Sequence, residues 1–307
     1  MRHRGLAVSL ICALSVAGRA QSDLAGTVAY RTDATLVLIP VSVTDAANRY
    51  VLGLEKDNFR LLEDGAGQTI KYFSNEDTPL SVGLLVDTSG SIGGKLDTSR
   101  QAAKEFLKTL NTSDEAFLVE FSDEAHLTVP LTQRTADIER RLNVESSAGL
   151  TALLDAVHTG LQEMKNAKNP RKALLIISDG GDNNSRYTGT EIESLVREAD
   201  VQIYAMGVFE PLLPFGLTGV EIGGPRLLSQ LSEQTGGRAL AASNARDLPT
   251  IAQRIGLELR NQYLLAYSPA NQSRDGKYRQ VKVSLLPPAA LPPLKARWRL
   301  GYYAPSQ

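Results

Sequence analysis

The fold of this chain is decided by the stretch Val82–Ser91, which reads VGLLVDTSGS. Its first five residues form an unbroken apolar run, as expected of a strand that is covered on both faces of its sheet. Polar side chains follow at once, and Gly90 permits a tight turn among them. A second apolar run, Ala173–Ile177, ends in the same way in Ser178–Gly180, which reads SDG. The two runs predict buried strands that each end in carboxylate and hydroxyl groups.

Strands and helices alternate between about Leu80 and Leu259. Besides the two runs above, strands are predicted at Phe117–Phe121 and Val201–Met206. Apolar residues at helical spacing predict helices from about Leu96, over Leu153–Met164 and 191–199, from Pro225 to Gly236, and within Asn244–Leu259. Repeated β-α units of this kind are typical of a mainly parallel sheet with helices on both faces. The fold class predicted for this part of the chain is therefore α/β and Rossmann-like.

The segments on either side of this domain, residues 21–79 and 260–307, are predicted to be β. Their strand-like stretches are Leu36–Val43, Phe59–Gly65 and Gln68–Phe73 before the domain, and Gln262–Tyr267, Tyr278–Val283 and Ala296–Tyr302 after it. Neither segment is large enough to form a core of its own. We therefore predict that 260–307 pairs with 21–79, and that the α/β domain, residues 80–259, is inserted in or flanked by a small β-sandwich.

Residues 1–20 have the pattern of a secretory signal peptide. A basic start at Arg2, His3 and Arg4 precedes about thirteen uncharged, mostly apolar residues, which is short for a membrane span. We predict cleavage after Ala20 and a secreted or periplasmic location, with an uncleaved membrane anchor as the alternative. No later stretch is long and apolar enough to cross a membrane. The sole cysteine, Cys12, lies in the signal, so the mature chain has none.

The composition narrows the classes of function. The chain has 307 residues, a formal net charge of -1 and 22% charged residues, which gives no electrostatic case for general binding of nucleic acid. One cysteine excludes a disulfide framework and a cysteine-based zinc site. Three histidines leave little room for a histidine metal cluster.

Five oxygen-bearing side chains are predicted to meet at one edge of the sheet: Asp87, Ser89, Ser91, Thr151 and Asp179. Ligands of open α/β sheets lie just beyond the carboxyl ends of the strands, where four of these residues fall, and the fifth begins a predicted helix. An all-oxygen set suits a hard divalent cation, Mg²⁺ in particular, or Mn²⁺ or Ca²⁺. Neutral hydroxyl ligands would leave the ion electron-poor, so a carboxylate of a partner protein could fill an open position favourably.

The same five residues resemble the metal-ion-dependent adhesion site of the von Willebrand factor A domain family. Asp87-x-Ser89-x-Ser91 occupies the first loop, and Thr151 and Asp179 follow in the expected order. The resemblance implies that Ser89, Ser91 and Thr151 contact the metal. It also implies that the two aspartates orient water or bind the metal directly, depending on the state of the domain.

The resemblance covers residues 80–259, more than half of the chain. The whole layout is similar to that of secreted bacterial proteins related to von Willebrand factor A, which carry a β segment on each side of the domain. One departure concerns Gly149-Leu150-Thr151, because the family often has a second glycine where this chain has leucine. We expect this change to alter the shape of the loop more than the ligation.

These observations predict a secreted, non-enzymatic binding protein of the adhesion type. The alternative is a structural or assembly factor of the cell envelope with a vestigial metal site, and a third reading is a metal-dependent hydrolase. An aspartic protease is disfavoured because no second Asp-Thr/Ser-Gly loop follows an apolar run, and a serine hydrolase because no Gly-x-Ser-x-Gly is present. The apolar loop Phe209–Val220 is either cover for the domain or a rim of the partner site. The sequence leaves the identity of the partner and the oligomeric state open.

Overall fold

The apolar runs of the sequence become strands in the computed structural model, which describes residues 36–144, 148–208, 219–286, 288 and 291–306. In chain order the strands are β1 (Val37–Thr44), β2 (Phe59–Glu63), β3 (Ala66–Gln68), β4 (Ile70–Ser74), β5 (Leu80–Asp87), β6 (Glu115–Phe121), β7 (Ala125–Thr132), β8 (Arg171–Ile177), β9 (Gln202–Gly207), β10 (Ala239–Ala241), β11 (Tyr263–Tyr267), β12 (Tyr278–Leu285), β13 (Lys295–Trp298) and β14 (Gly301–Tyr303).

The helices follow the stretches in which apolar residues recur at helical spacing. They are α1 (Leu96–Leu107), α2 (Thr135–Arg141), α3 (Leu153–Met164), α4 (Gly189–Glu198), α5 (Gly219–Gln234) and α6 (Leu248–Arg260), with short 3₁₀ helices at Lys56–Asn58, Gly90–Lys95 and Ala245–Asp247. α4 begins with a capping box, in which the Thr188 hydroxyl accepts a hydrogen bond from the Glu191 amide. Within the described residues, no helix is long and apolar enough to cross a membrane.

The middle of the chain forms a six-stranded sheet in the order β10-β9-β8-β5-β6-β7. Every pair is parallel except β6 and β7. All eight residues of β5 are buried, because one face of the sheet packs on α1 and α6 and the other on α3 and α4. Leu84, for example, belongs to the core that contains Phe106, whereas Leu85 belongs to the core that contains Val157. The predicted α/β class with helices on both faces is confirmed.

The flanking segments form two antiparallel sheets with a core of their own. One sheet has the order β13-β1-β11-β4 and the other β14-β12-β2-β3, so each contains strands from both ends of the chain. Ile39 pairs with Leu265, and Leu61 pairs with Val283. The predicted pairing of the two segments is confirmed. The described residues from Leu36 onward belong to one compact unit, and the boundaries at 79/80 and 259/260 stay predictions. The predicted signal, residues 1–20, lies outside the described residues.

Some details of the sequence prediction were wrong. The stretch Gln68–Phe73 is not one strand, because Gln68 ends β3 and Ile70 begins β4, which belong to different sheets. The stretch Ala296–Tyr302 is not one strand but two, β13 and β14, which belong to different sheets. Long-range contacts divide it: the Arg299 guanidinium bonds Asp200, and the Leu300 amide donates to the carbonyl of Gln234 at 3.1 Å. In addition, Pro225 lies inside α5 rather than at its start, because that helix already begins at Gly219.

Candidate metal site

The carboxyl ends of β5 and β8 bring the first two groups of predicted ligands to one place. The strands are parallel neighbours, with Val86 opposite Ile177, so the residues that follow them leave the same edge of the sheet. The Ser178 hydroxyl donates to Asp87 Oδ2 at 2.7 Å and joins the two strand ends directly. Asp179 comes next, half-buried, and its carboxylate accepts a hydrogen bond from the Gly181 amide at 3.2 Å.

The loop that precedes Thr151 is bonded to the loop that follows β5. The Gly90 amide donates to the Gly149 carbonyl at 3.0 Å, and the Ala148 amide donates to the Thr88 carbonyl at 3.2 Å. A Cβ at position 90 would lie 3.3 Å from that carbonyl oxygen, which is a tight contact. The glycine therefore serves close approach of two backbones at this point.

Thr151 is held in turn by the loop that follows Asp179. The Thr151 amide donates to Asn183 Oδ1 at 2.8 Å, and the Asn183 amide donates to the Thr151 carbonyl at 3.0 Å. Thr151 is buried as a result, with 3% of its surface exposed. The segments that carry Asp87 and Ser89, Thr151, and Asp179 are thus cross-linked pairwise by hydrogen bonds.

Asp87 is fully buried at the centre of this arrangement. Its Oδ1 accepts from the Ser89 amide at 2.9 Å and from the Ser89 hydroxyl at 2.6 Å, while Ser178 occupies Oδ2. Burial raises the pKa of Asp87 to about 6, against the lowering effect of these donors, and the charge of Asp179 adds to the rise. Among the described residues, no ion pair includes either aspartate. The three groups that donate to Asp87 are therefore neutral, and the nearest charge named beside it is the like charge of Asp179.

The residues present fit a hard divalent cation. The Ser89 hydroxyl gives its proton to Asp87, so it can contact a further group only through its oxygen lone pairs, which are what a cation binds. No group of three or more His, Cys, Asp or Glu among the described residues could hold a metal. A site here would therefore depend on hydroxyl oxygens beside two carboxylates, which is the donor chemistry of Mg²⁺ or Mn²⁺ rather than of zinc.

The structure places four of the five predicted residues near one another and leaves the side chain of the fifth undescribed. The structure brings together the segments of Asp87, Ser89, Thr151 and Asp179. Ser91 lies in the 3₁₀ helix Gly90–Lys95 beside them, but its side chain is outside what the structure describes. The roles of all five as metal ligands stay predictions.

Asp123, in the turn after β6, is a residue of this region that the sequence analysis missed. Its Oδ1 accepts from the Leu150 amide at 2.7 Å, and its carbonyl accepts from Asn184 Nδ2 at 2.7 Å. Gly149 has a φ of 92°, and a Cβ there would lie 2.4 Å from the Asp123 carboxylate. Asp123 thereby fixes the loop in front of Thr151. A signal did exist, because this acid follows a third strand of the same sheet.

Two other features predicted near the site are placed only in part. Residues 209–218 of the apolar loop lie outside the described residues, so its role as rim or cover stays a prediction. Leu150, the departure from the family pattern, has 48% of its surface exposed directly before Thr151. Its side chain is therefore accessible beside the predicted site.

Part of the α/β domain resembles a known family in sequence. Residues 82–181 match the sequence model of the von Willebrand factor type A domain. An uncharacterised protein of Borreliella burgdorferi is 22% identical over 175 residues, which are 50% of this chain and 51% of that protein. The chain thus spans about half the length of the curated relative that it matches.

Three solved structures resemble the chain at low identity. An aerotolerance-related membrane protein from Bacteroides fragilis has a TM-score of 0.47 and 14% identity, over 59% of this chain and 98% of that one. The PilB minor pilin from Streptococcus sanguinis has a TM-score of 0.47 and 13% identity, over 61% of this chain and 63% of that one. Proximal thread matrix protein 1 from the mussel byssus has a TM-score of 0.48 and 18% identity, over 64% of this chain and 51% of that one. Because these scores are below 0.5, the likeness to the von Willebrand factor type A domain depends on the sequence match, which covers residues 82–181 of the 307 in the chain.

Proposed function

We propose that this chain binds a partner protein through a divalent cation, Mg²⁺ in particular, held by Asp87, Ser89, Ser91, Thr151 and Asp179. Domains of the von Willebrand factor A type generally mediate protein–protein interactions, and residues 82–181 match that family. In this proposal an acidic side chain of the partner completes the coordination of the ion. The protein would act outside the cytoplasm, as a binding or adhesion protein rather than an enzyme.

The observation that carries the proposal is the burial of the Asp87 carboxylate among donors that are all neutral. An ionised carboxylate that is removed from water costs several kcal/mol unless a cation or sufficient donors stabilise it. Asp87 has three donors, all neutral, and a second carboxylate nearby. A divalent cation would supply the missing positive charge at the place where hydroxyl oxygens are gathered.

The chemistry of the ligands explains why the partner would be acidic. Hydroxyl oxygens are neutral, so they reduce the charge of a bound ion less than carboxylates do. Mg²⁺ also keeps several waters in protein sites, and a charged oxygen is a better ligand for it than a neutral one. A partner carboxylate is such a ligand, and the interaction would be abolished by chelators.

Calorimetric titration of the full chain with MgCl₂ tests the metal site. We expect a saturable heat for the wild type and at least tenfold weaker binding for Asp87→Asn. Asp97→Asn is the matched control, because the Asp97 side chain is 96% exposed on α1 and should leave binding unchanged. Absence of binding of Mg²⁺, Mn²⁺ and Ca²⁺ to the wild type would refute the metal site and favour the assembly factor with a vestigial site.

Secretion and the absence of catalysis have separate tests. Mass spectrometry of the protein from its native cell should find a chain that begins after Ala20 in the envelope or the medium. A chain that retains residues 1–20 in the cytosol would contradict secretion. A metal-loaded sample should not turn over ester or phosphate substrates, and turnover that Asp87→Asn abolishes would support the hydrolase reading instead.

A further inference from the structure

A cleft of about 560 Å³ lies between the α/β domain and the sandwich, away from the predicted metal site. Its walls include Arg238, Ala239 and Leu240 on one side and Ala296, Arg297 and Trp298 on the other. This volume is in the usual range for small-ligand sites. None of the five predicted metal ligands lines it.

Two terminal strands border the cleft. β10 is the last strand of the six-stranded sheet, and β13 is the last strand of its sheet in the sandwich. Within the part of the chain that the structure describes, each pairs with a strand on one side only, β10 with β9 and β13 with β1. A terminal strand presents unpaired backbone donors and acceptors, to which an extended peptide can add.

The two borders are fixed to each other at one end of the cleft. Gly236, with a φ of 82°, packs so closely on the other wall that a Cβ there would lie 2.5 Å from the Arg299 amide nitrogen. The Leu300 amide also donates to the carbonyl of Gln234 at 3.1 Å. The cleft is therefore a built feature of the contact between the two sheets.

Two arginines of the cleft carry buried nitrogen atoms that lack acceptors. Arg238 is more than nine-tenths buried, and although it pairs with the buried Glu258, its Nε has no hydrogen-bond partner among the described residues. Arg297 Nη1 is buried and has no partner in the same part of the chain, where Arg297 forms no ion pair either. Unpaired buried donors of this kind cost free energy until an acceptor meets them.

The remaining charged side chain of the lining does not supply that acceptor. Glu233 also lines the cleft, but it is exposed and accepts a hydrogen bond from the Ser229 hydroxyl at 2.8 Å. The large apolar side chains of the lining are Trp298, Leu240 and Leu300, of which Leu300 has 43% of its surface exposed. The cleft thus combines strand edges, guanidinium donors and an apolar surface.

We infer that this cleft binds an extended peptide segment of a partner that carries a carboxylate. The backbone of the segment would pair with a terminal strand, its carboxylate would pair with the Arg297 guanidinium, and a neighbouring apolar side chain would contact Trp298. A carboxylate matches the planar donor set of a guanidinium better than a neutral acceptor does. A small anion alone would fill only a fraction of the volume.

Trp298 provides the test, because it is the sole tryptophan of the chain. The full chain is titrated in EDTA with acetyl-Val-Glu-Val-Glu-Val-amide, and in parallel with the peptide in which both Glu are replaced by Gln, while tryptophan fluorescence is followed. We expect a saturable change with the Glu peptide and at least tenfold weaker binding of the Gln peptide. Arg297→Gln should weaken binding of the Glu peptide at least tenfold, whereas Arg274→Gln, which alters an exposed arginine, should not.

Three results would overturn the inference. The first is no saturable change in the wild type at millimolar Glu peptide. The second is equal binding of the Glu and Gln peptides, a comparison that needs no variant to fold. The third is an identical response to sodium acetate at the same concentrations, which would show a site for small anions. Because EDTA is present throughout, the result is independent of the proposed metal site.

Discussion

Replacing Asp87 by Asn is expected to stabilise the metal-free protein at pH 8. Burial raises the pKa of Asp87 to about 6 from an ordinary value of 3.8. The difference of about 2.2 pKa units (6 − 3.8) corresponds to about 3 kcal/mol, at about 1.4 kcal/mol per unit. This is the amount by which the ionised carboxylate lowers the free energy of unfolding at a pH above both values.

The sign of the pH dependence follows from the direction of that shift. Below the unfolded pKa of about 3.8 both states carry the proton, and Asp87 imposes no penalty. Between about pH 4 and pH 6 the folded chain binds more protons than the unfolded chain, so its stability falls as the pH rises. The penalty is complete above the folded pKa.

The amide of Asn does not reproduce every bond of the carboxylate. Its oxygen can still accept from Ser89, but its NH₂ group would face the Ser178 hydroxyl, which donates to Asp87 in the wild type. Loss of that bond costs about 1 kcal/mol. The net gain of Asp87→Asn should therefore be about 2 kcal/mol at pH 8 and at least about 1 kcal/mol smaller at pH 5.

Urea denaturation in EDTA at the two pH values measures this gain, with Asp97→Asn as the control that should show no change. Addition of MgCl₂ should then reverse the order, because only the wild type would gain stability from a bound ion. A lower stability of Asp87→Asn than of the wild type at pH 8 in EDTA would refute the reasoning. It would mean that the folded chain already compensates the charge of Asp87.

Two further substitutions test the structure around the site. Gly180→Ala should destabilise the protein by more than about 2 kcal/mol in urea denaturation, because Gly180 has a φ of 88° and a Cβ would lie 2.7 Å from the Gly224 carbonyl carbon. Gly181→Ala, whose Cβ would have only an ordinary contact of 3.5 Å, is its control, and equal losses would contradict the close approach. Thr188→Ala should cost about 1 kcal/mol of unfolding free energy through loss of the cap of α4, while Thr188→Ser should retain it; no loss in the Ala variant would show that the cap does not stabilise the helix.

The sequence predicts most of the central sheet because its strands are covered on both faces. A strand that is buried on both faces has a continuous apolar run, as in β5 and β8. Such a run can be recognised in the sequence without knowing which strands lie beside it. The division of Ala296–Tyr302 into β13 and β14 is different. It depends on contacts of Arg299 and Leu300 with residues about 65 to 100 positions away in the sequence. The local alternation of apolar and polar side chains does not predict such long-range contacts.

The candidate site shows the same limit at the level of single residues. Asp87 and Asp179 could be placed at one sheet edge because each lies at the carboxyl end of a continuous apolar run. Ser178 was visible in the same stretch, but its bond to Asp87 requires the two strands to be neighbours, which periodicity does not specify. Asp123 was missed because its carboxylate accepts a hydrogen bond from the backbone amide of Leu150. No sequence motif predicts a hydrogen bond of this kind between two loops.

The contrast between Asp87 and the other buried carboxylates is the strongest argument for a function at this edge. Five buried acids of the described residues each face an arginine: Asp45, Asp114, Glu120, Asp155 and Glu258. Glu63 instead accepts from two tyrosine hydroxyls and lies near the charge of Arg279. The chain therefore supplies positive charge or acidic donors to these carboxylates, while Asp87 has neutral donors and the like charge of Asp179. A bound cation would supply Asp87 with the positive charge that arginines supply to the other buried acids. A carboxylate of a partner protein could then bind the same cation.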